Sequence, residues 1–305
     1  MKVWAKKVIV KKRMIIHVLG QRDLLIRGAT VRSPFIACLN FSFQTPTDLF
    51  LVTDFAGGGE LTVYLARKSC VLVDHAKFYL AELILAIEHL HEHDFNIYYF
   101  RPKDILLDSH GHVVLNNFQF SEKLDAEEER QISENCSEYM APEGPSYTRA
   151  SVFWSLGALA FEMFCGWSPF YAGKNMQMLK NIASGEAQIP SNYIPAEERI
   201  FVESLLNRNP KERLGGTSGT EELKSHEFFL GVDWTAAARK GLTPPLIPED
   251  RPNDVHVHDK TVSPSAANKS RVGGLSMGSA PLAPSLQANF RGFTFVDDKP
   301  LSPTS

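Results

Sequence analysis

Between residues 98 and 104 the chain reads Tyr98-Tyr99-Phe100-Arg101-Pro102-Lys103-Asp104. An apolar strand, Ile105-Leu106-Leu107-Asp108, and a glycine turn, Ser109-His110-Gly111-His112, follow. Tyr99 is badly suited to take a proton: a phenol with a pKa of about 10 is a poor base at neutral pH. General-base help is typically worth about 10²–10⁴ in rate, so its loss matters where it is used.

The elements that must position these groups are legible in outline. Met1 to Val10 reads as a strand, and Met14 to Arg27 as an amphipathic helix with Ile15, Val18, Leu19, Leu25 and Ile26 on its apolar side. Pro34–Phe43 and Leu49–Phe55 read as strands around the turn Thr45-Pro46-Thr47-Asp48, and Gly57-Gly58-Gly59 ends that sheet as a hinge. Asp74 is expected to cap a long helix in which Phe78, Leu83, Ile84, Ile87 and Leu90 recur at helical spacing. Ser151–Cys165 is apolar almost all round, as a helix buried at the centre of a helical lobe would be. Further helices are expected over about 174–183 and 196–207. From Pro244 the chain is rich in Pro, Ser, Ala and Gly and is expected to be mostly extended or disordered. The aromatic cluster Phe290-Arg291-Gly292-Phe293-Thr294-Phe295 breaks that pattern.

Composition narrows the class. The 305 residues, 44% hydrophobic and 22% charged, suit a globular protein with one large core or two lobes. A net charge of −3 supplies no reason to expect nucleic acid or an anionic membrane as partner. The basic run Lys6 to Arg13 is interrupted by Val8, Ile9 and Val10, as in a solvated connection. Cys38, Cys70, Cys136 and Cys165 lie far apart, with no C-x-x-C and no histidines read as paired with them. That spacing argues for free thiols in a reducing compartment, against a disulfide frame or zinc site. No apolar run reaches the roughly 18 residues of a membrane span, and the N-terminus has no signal-peptide pattern.

Several segments, in order and at the right spacing, resemble the AGC serine/threonine protein kinases, closest to the fungal protein-kinase-B-like members. They are Pro34-Phe35-Ile36 with Phe41-Ser42-Phe43, Glu60-Leu61 after the glycines, and His89-Leu90-His91. Tyr139-Met140-Ala141-Pro142-Glu143, Phe153-Trp154-Ser155-Leu156-Gly157 and Asn209-Pro210-x-x-Arg213-Leu214-Gly215 follow. Phe290-x-x-Phe293-Thr294-Phe295 matches that group's hydrophobic motif, with Thr294 at its regulatory phosphosite.

The resemblance implies an α+β, two-lobed kinase fold with a truncated small lobe and an AGC-type C-terminal tail. Residues 1–55 would be the residual small lobe, 56–230 the large lobe, and 231–305 a mostly disordered tail carrying the motif at 290–295. The chain opens within the family's third strand, so the glycine-rich loop is expected to be missing. ATP and Mg2+ are the implied cofactors, with nucleotide contacts at Lys2, Thr53, Asp54, Ala56, Glu60 and Leu106. The metal positions fall on Asp104 and Asn117, where carboxylate and amide have traded places relative to the family. The implied structural ion pair is Glu143 with Arg213, and Leu25, Leu39, Ile97 and Phe118 form the implied apolar stack between lobes.

The departures cluster where chemistry would occur. The family's proton-accepting aspartate is Tyr99, and its phosphate-sensing loop arginine is Tyr98. Its helix glutamate is Gln21, the glycine of its metal-binding turn is Gln119, and the aspartate anchoring its catalytic loop is Val152. The activation-segment threonine falls on Ile132, beside Ser133, and the threonine contacting the catalytic loop on Cys136. The expectation is therefore a catalytically inactive pseudokinase, a binding or regulatory module, with no catalytic residue. The alternatives are an active or weakly active ATP-dependent serine/threonine kinase, and a truncated gene product. The expected partners are other protein kinases or signalling proteins, in the cytoplasm or nucleus.

Overall fold

A computed structural model describes residues 1–12, 14–30, 32–67, 70–95, 97–116, 119–120, 138–144, 148–173, 175–184, 187, 194–248 and 280–297. Its elements run β1 (Lys2–Ala5), α1 (Lys6–Lys11), α2 (Ile15–Thr30), β2 (Leu39–Gln44), β3 (Asp48–Thr53), β4 (Gly59–Glu60), α3 (Leu61–Arg67) and α4 (Val73–Glu92). Next come β5 (Ile97–Tyr99), a 3₁₀ turn (Pro102–Asp104), β6 (Ile105–Leu107), β7 (Val113–Leu115) and β8 (Gln119–Phe120). Helices α5 (Ser151–Cys165), α6 (Asn175–Ser184), α7 (Ala196–Leu205), α8 (Thr220–Lys224), α9 (Trp234–Ala238) and α10 (Pro284–Gln287) precede β9 (Phe295–Val296). No described helix is long and apolar enough to cross a membrane.

Two compact units emerge. The first comprises the described residues of Met1–Arg32, Ala37–Phe55 and Asp250–Ser305. Its antiparallel sheet has the order β1-β3-β2-β9. The core beneath it contains Ile9, Val18, Leu25, Leu39, Leu49 and Leu51, closed by Phe290 and Phe293, both fully buried. Ile15, Leu19 and Ile26 pack partly buried against this core, so all five residues on the expected apolar side of α2 turn inward.

The expected strand Met1–Val10 is only half a strand, because the chain turns helical at Lys6. Helical spacing sends Lys6 and Ile9 inward together. The buried ammonium of Lys6 is satisfied by the side-chain oxygens of Gln44 and Gln287, each at 2.8 Å. Burial pulls the Lys6 pKa below its ordinary value, against the opposing charge of Asp48.

The second unit comprises Ser33–Ile36 and Ala56–Glu249. Pro34–Ile36 forms a turn where a strand was expected, with Ile36 bridging Leu115 in parallel, and pairing in β2 begins only at Leu39. The long helix α4 starts one residue before Asp74, so Asp74 lies in its first turn and is not its cap. Its charge still complements the helix N-terminus. Phe78, Leu83, Ile84, Ile87 and Leu90 are buried, and fourteen of the fifteen residues of α5 are buried as well. Trp154 of α5 stacks on Phe170 at 5.2 Å. Residues 231–248 pack on this unit: Lys240 donates to Asp108 at 2.7 Å, and the Leu246 carbonyl oxygen occupies the space that a Cβ on Gly111 would need. Gly111, at φ +96°, is thus required twice over, for its backbone and for this close approach. The remainder of the expected disordered tail, apart from 280–297, lies outside the described residues.

Candidate functional site

Strand β5 delivers the 98–104 segment. It pairs antiparallel with β8, Ile97 opposite Phe120 and Tyr99 opposite Gln119. Tyr99 is buried and Phe100 fully so, which anchors the segment on apolar side chains. Pro102 then sets the first residue of the 3₁₀ turn, where a missing N–H costs nothing.

That turn folds Asp104 back onto Arg101. The Arg101 guanidinium donates from Nε to Oδ2 at 2.7 Å and from Nη2 to Oδ1 at 3.0 Å. The Arg101 backbone N–H donates to the same Oδ2 at 2.9 Å. Asp104 is only 3% exposed, so its charge is neutralised locally by a bidentate pair. Burial alone would lower the Arg101 pKa, but the Asp104 carboxylate holds it above its ordinary value. The guanidinium also lies over the Tyr99 ring, 5.9 Å from its centroid. Lys103 is pushed below its ordinary pKa by burial and by the Arg101 charge. Tyr99, Arg101 and Asp104 thus form one closed cluster. Arg101 had no expected role, although its spacing carried the signal: an arginine three positions before an aspartate, across a proline.

Strands β6 and β7 fix the neighbours. Leu106 pairs with Glu60 of β4 on one side and Val114 of β7 on the other. Glu60 accepts from the Thr62 hydroxyl at 2.9 Å. Asn116 N–H donates to the Asp104 carbonyl at 2.9 Å, while Asn117 and Phe118 lie outside the described residues. Ile132, Ser133 and Cys136 lie outside them too. In the first unit, Lys2 pairs across from Leu51, and Thr53 ends β3 opposite Leu39. Asp54 accepts from Asn40 Nδ2 at 3.0 Å and from the Cys38 backbone N–H at 3.4 Å. Ala56 is half-buried at the start of the second unit.

A second arginine–carboxylate pair lies deeper. Arg213 Nη1 and Nη2 donate to the two Glu143 oxygens at 2.8 and 2.9 Å. Arg213 also donates to the carbonyls of Asn207 and Ala150, both at 2.9 Å, and Ser151 donates to Glu143 at 2.7 Å. Burial would raise the Glu143 pKa, but Arg213 and Ser151 hold it below the ordinary value. Val152 is fully buried in α5.

In the first unit Phe290 and Phe293 are held from both ends. Ser42 Oγ donates to Phe293 O at 2.6 Å, Gln44 to Phe290 O at 2.8 Å, and Arg22 to Gly292 O at 2.7 Å. Strand β9 then adds to the sheet edge at Phe41 and Ser42, leaving Thr294 exposed between buried Phe293 and sheet-paired Phe295.

A family model described as "Protein kinase domain" matches residues 2–229. The chain is 47% identical over 98% of its length to the serine/threonine-protein kinase SCH9 of Candida albicans, and 45% identical over 98% to SCH9 of Saccharomyces cerevisiae. It is 38% identical over 85% to human serine/threonine-protein kinase Sgk1. The chain belongs to the AGC serine/threonine protein kinase family. The small antiparallel sheet and the helical unit fit that kinase fold. The chain spans 38% and 37% of the two fungal relatives and 60% of the human one.

Proposed function

We propose that this AGC-family chain is a pseudokinase, a binding or regulatory module that presents kinase surfaces without transferring phosphate. The observation that carries this reading is the Arg101–Asp104 fork. The described donors do not fit a magnesium ion. The one carboxylate at the metal positions already gives both oxygens to a cation, and a dication brought beside Arg101 would meet like charge. Tyr99 beside it is no base at neutral pH. On this reading Lys2, Thr53, Asp54, Ala56, Glu60 and Leu106 take no part in a phosphotransfer step. The proposed partners are other kinases or signalling proteins met in the cytoplasm or nucleus, and Thr294 is the proposed regulatory phosphosite.

The kinship to named serine/threonine kinases favours a second reading, weak phosphotransfer through Asp104 with Asn117. Thermal melting with millimolar Mg-ATP and a radiolabelled phosphotransfer assay separate the two. The pseudokinase reading expects no rise in melting temperature from Mg2+ and no label on a generic basic peptide. Turnover by the unmodified chain that is lost in Asp104→Ala would overturn it.

A further inference from the structure

The last turn of α4 and the C-cap after it read His89-Leu90-His91-Glu92-His93, and these side chains divide by face. His91 turns to the interior, its ring edge-on to Phe153 at 5.9 Å. His89, Glu92 and His93, at positions i, i+3 and i+4, lie on one face, with ligand atoms all within 4.8 Å of one another. His89 is half-buried, and Glu92 and His93 are exposed.

The decisive detail is at His93. Its Nδ1 lies 2.7 Å from the His89 carbonyl oxygen. A carbonyl only accepts, so the proton is on Nδ1 and the lone pair of the neutral ring is on Nε2. A metal-binding histidine is commonly oriented this way, with its second nitrogen donating to a backbone carbonyl. The two rings stand 4.5 Å apart. A cation there would also face the C-terminal end of a 20-residue helix, where the backbone dipole favours positive charge.

We propose that His89, Glu92 and His93 form a binding site for a borderline-soft divalent ion of the zinc class. Two imidazoles and one carboxylate make a three-ligand set with a fourth position open to water or a partner's side chain. Zinc–ligand distances of about 2.0–2.2 Å require the groups to close, and the exposed Glu92 and His93 can move towards the half-buried His89 by rotation about their side-chain bonds. The bound ion would staple the end of α4 to the turn at His93 and Asp94 that leads into β5. The sequence reading of no paired histidines missed His89 and His93, which one helical turn brings together.

The test titrates Zn2+ into the full chain in competition with a chromophoric chelator. One ion per chain is expected. His93→Ala and His89→Ala should each weaken binding by more than the roughly 10–100-fold that losing a supporting contact typically costs. His110→Ala, removing an exposed histidine outside the cluster, should change nothing. Cobalt absorption should report nitrogen and oxygen ligands and lose its intensity in the His93 variant. Melting in chelator controls for folding; if His89→Ala melts early, His93→Ala and Glu92→Gln decide. Zinc affinity unchanged in His93→Ala and Glu92→Gln, or no stoichiometric binding at micromolar zinc, overturns the site.

Discussion

Two bidentate arginine–carboxylate pairs in the second unit use the same chemistry for opposite ends. Glu143 and Arg213 are 70 residues apart and tie the segment after Tyr139 to the helical frame. Asn207, Ala150 and Ser151 add further hydrogen bonds to the pair, so the buried charges are paired and held by neutral groups as well. Arg101 and Asp104 are three residues apart and tie a turn to itself. The long-range pair holds structure together. The local pair consumes a carboxylate that would otherwise be available to a ligand.

Breaking the long-range pair should have the largest effect. Glu143→Ala leaves Arg213 buried without its counter-ion and is expected to cost about 3–5 kcal/mol, read by chemical denaturation. Phe293→Ala, in the first unit, removes a fully buried ring and should cost a comparable amount, about 3 kcal/mol, with protease cleavage near the C-terminus appearing early.

Breaking the local pair sharpens the contrast. Arg101→Met should cost about 1.5–3 kcal/mol, the range for hydrogen bonds to a charged group, and should expose Asp104 to added cations. Magnesium-dependent stabilisation of this variant, absent from the unmodified chain, is the expected readout. If Arg101→Met responds to magnesium no more than its parent, the pair does not account for the closed site.

Acid should act on the long-range pair. The folded pKa of Glu143 is below its ordinary 4.5, so its stabilising contribution is full above 4.5 and is lost as pH falls through the lower folded value. Denaturation midpoints measured from pH 6 to pH 3 should fall in this window, and the drop should shrink in Glu143→Gln. The smallest effect is expected from Lys2→Ala, within about 0.5 kcal/mol, because Lys2 ends an outer strand of the first unit's sheet.

Periodicity and apolar content were enough to place α2, α4 and α5, since each buries a continuous face whatever surrounds it. They failed at Lys6, where a lysine is buried because Gln44 and Gln287 from distant segments receive its ammonium. They failed also at Asp74, where the cap position depends on backbone geometry that composition does not carry. That residue 99 carries a phenol was legible from residue type alone. The pairing of Asp104 with Arg101 was not, because the geometry of the turn brings the two side chains together.

The sequence by itself determined the family and the apolar frame, because those rest on residue identity and order. Tertiary structure alone decided that Phe290 and Phe293 close the core of the first unit in the same chain. It also decided that Arg101 holds Asp104, and that His89 and His93 converge while His91 turns inward. The physical reason is common to all three: charge neutralisation, burial and ligand convergence depend on which groups lie within a few ångströms, and folding sets that proximity.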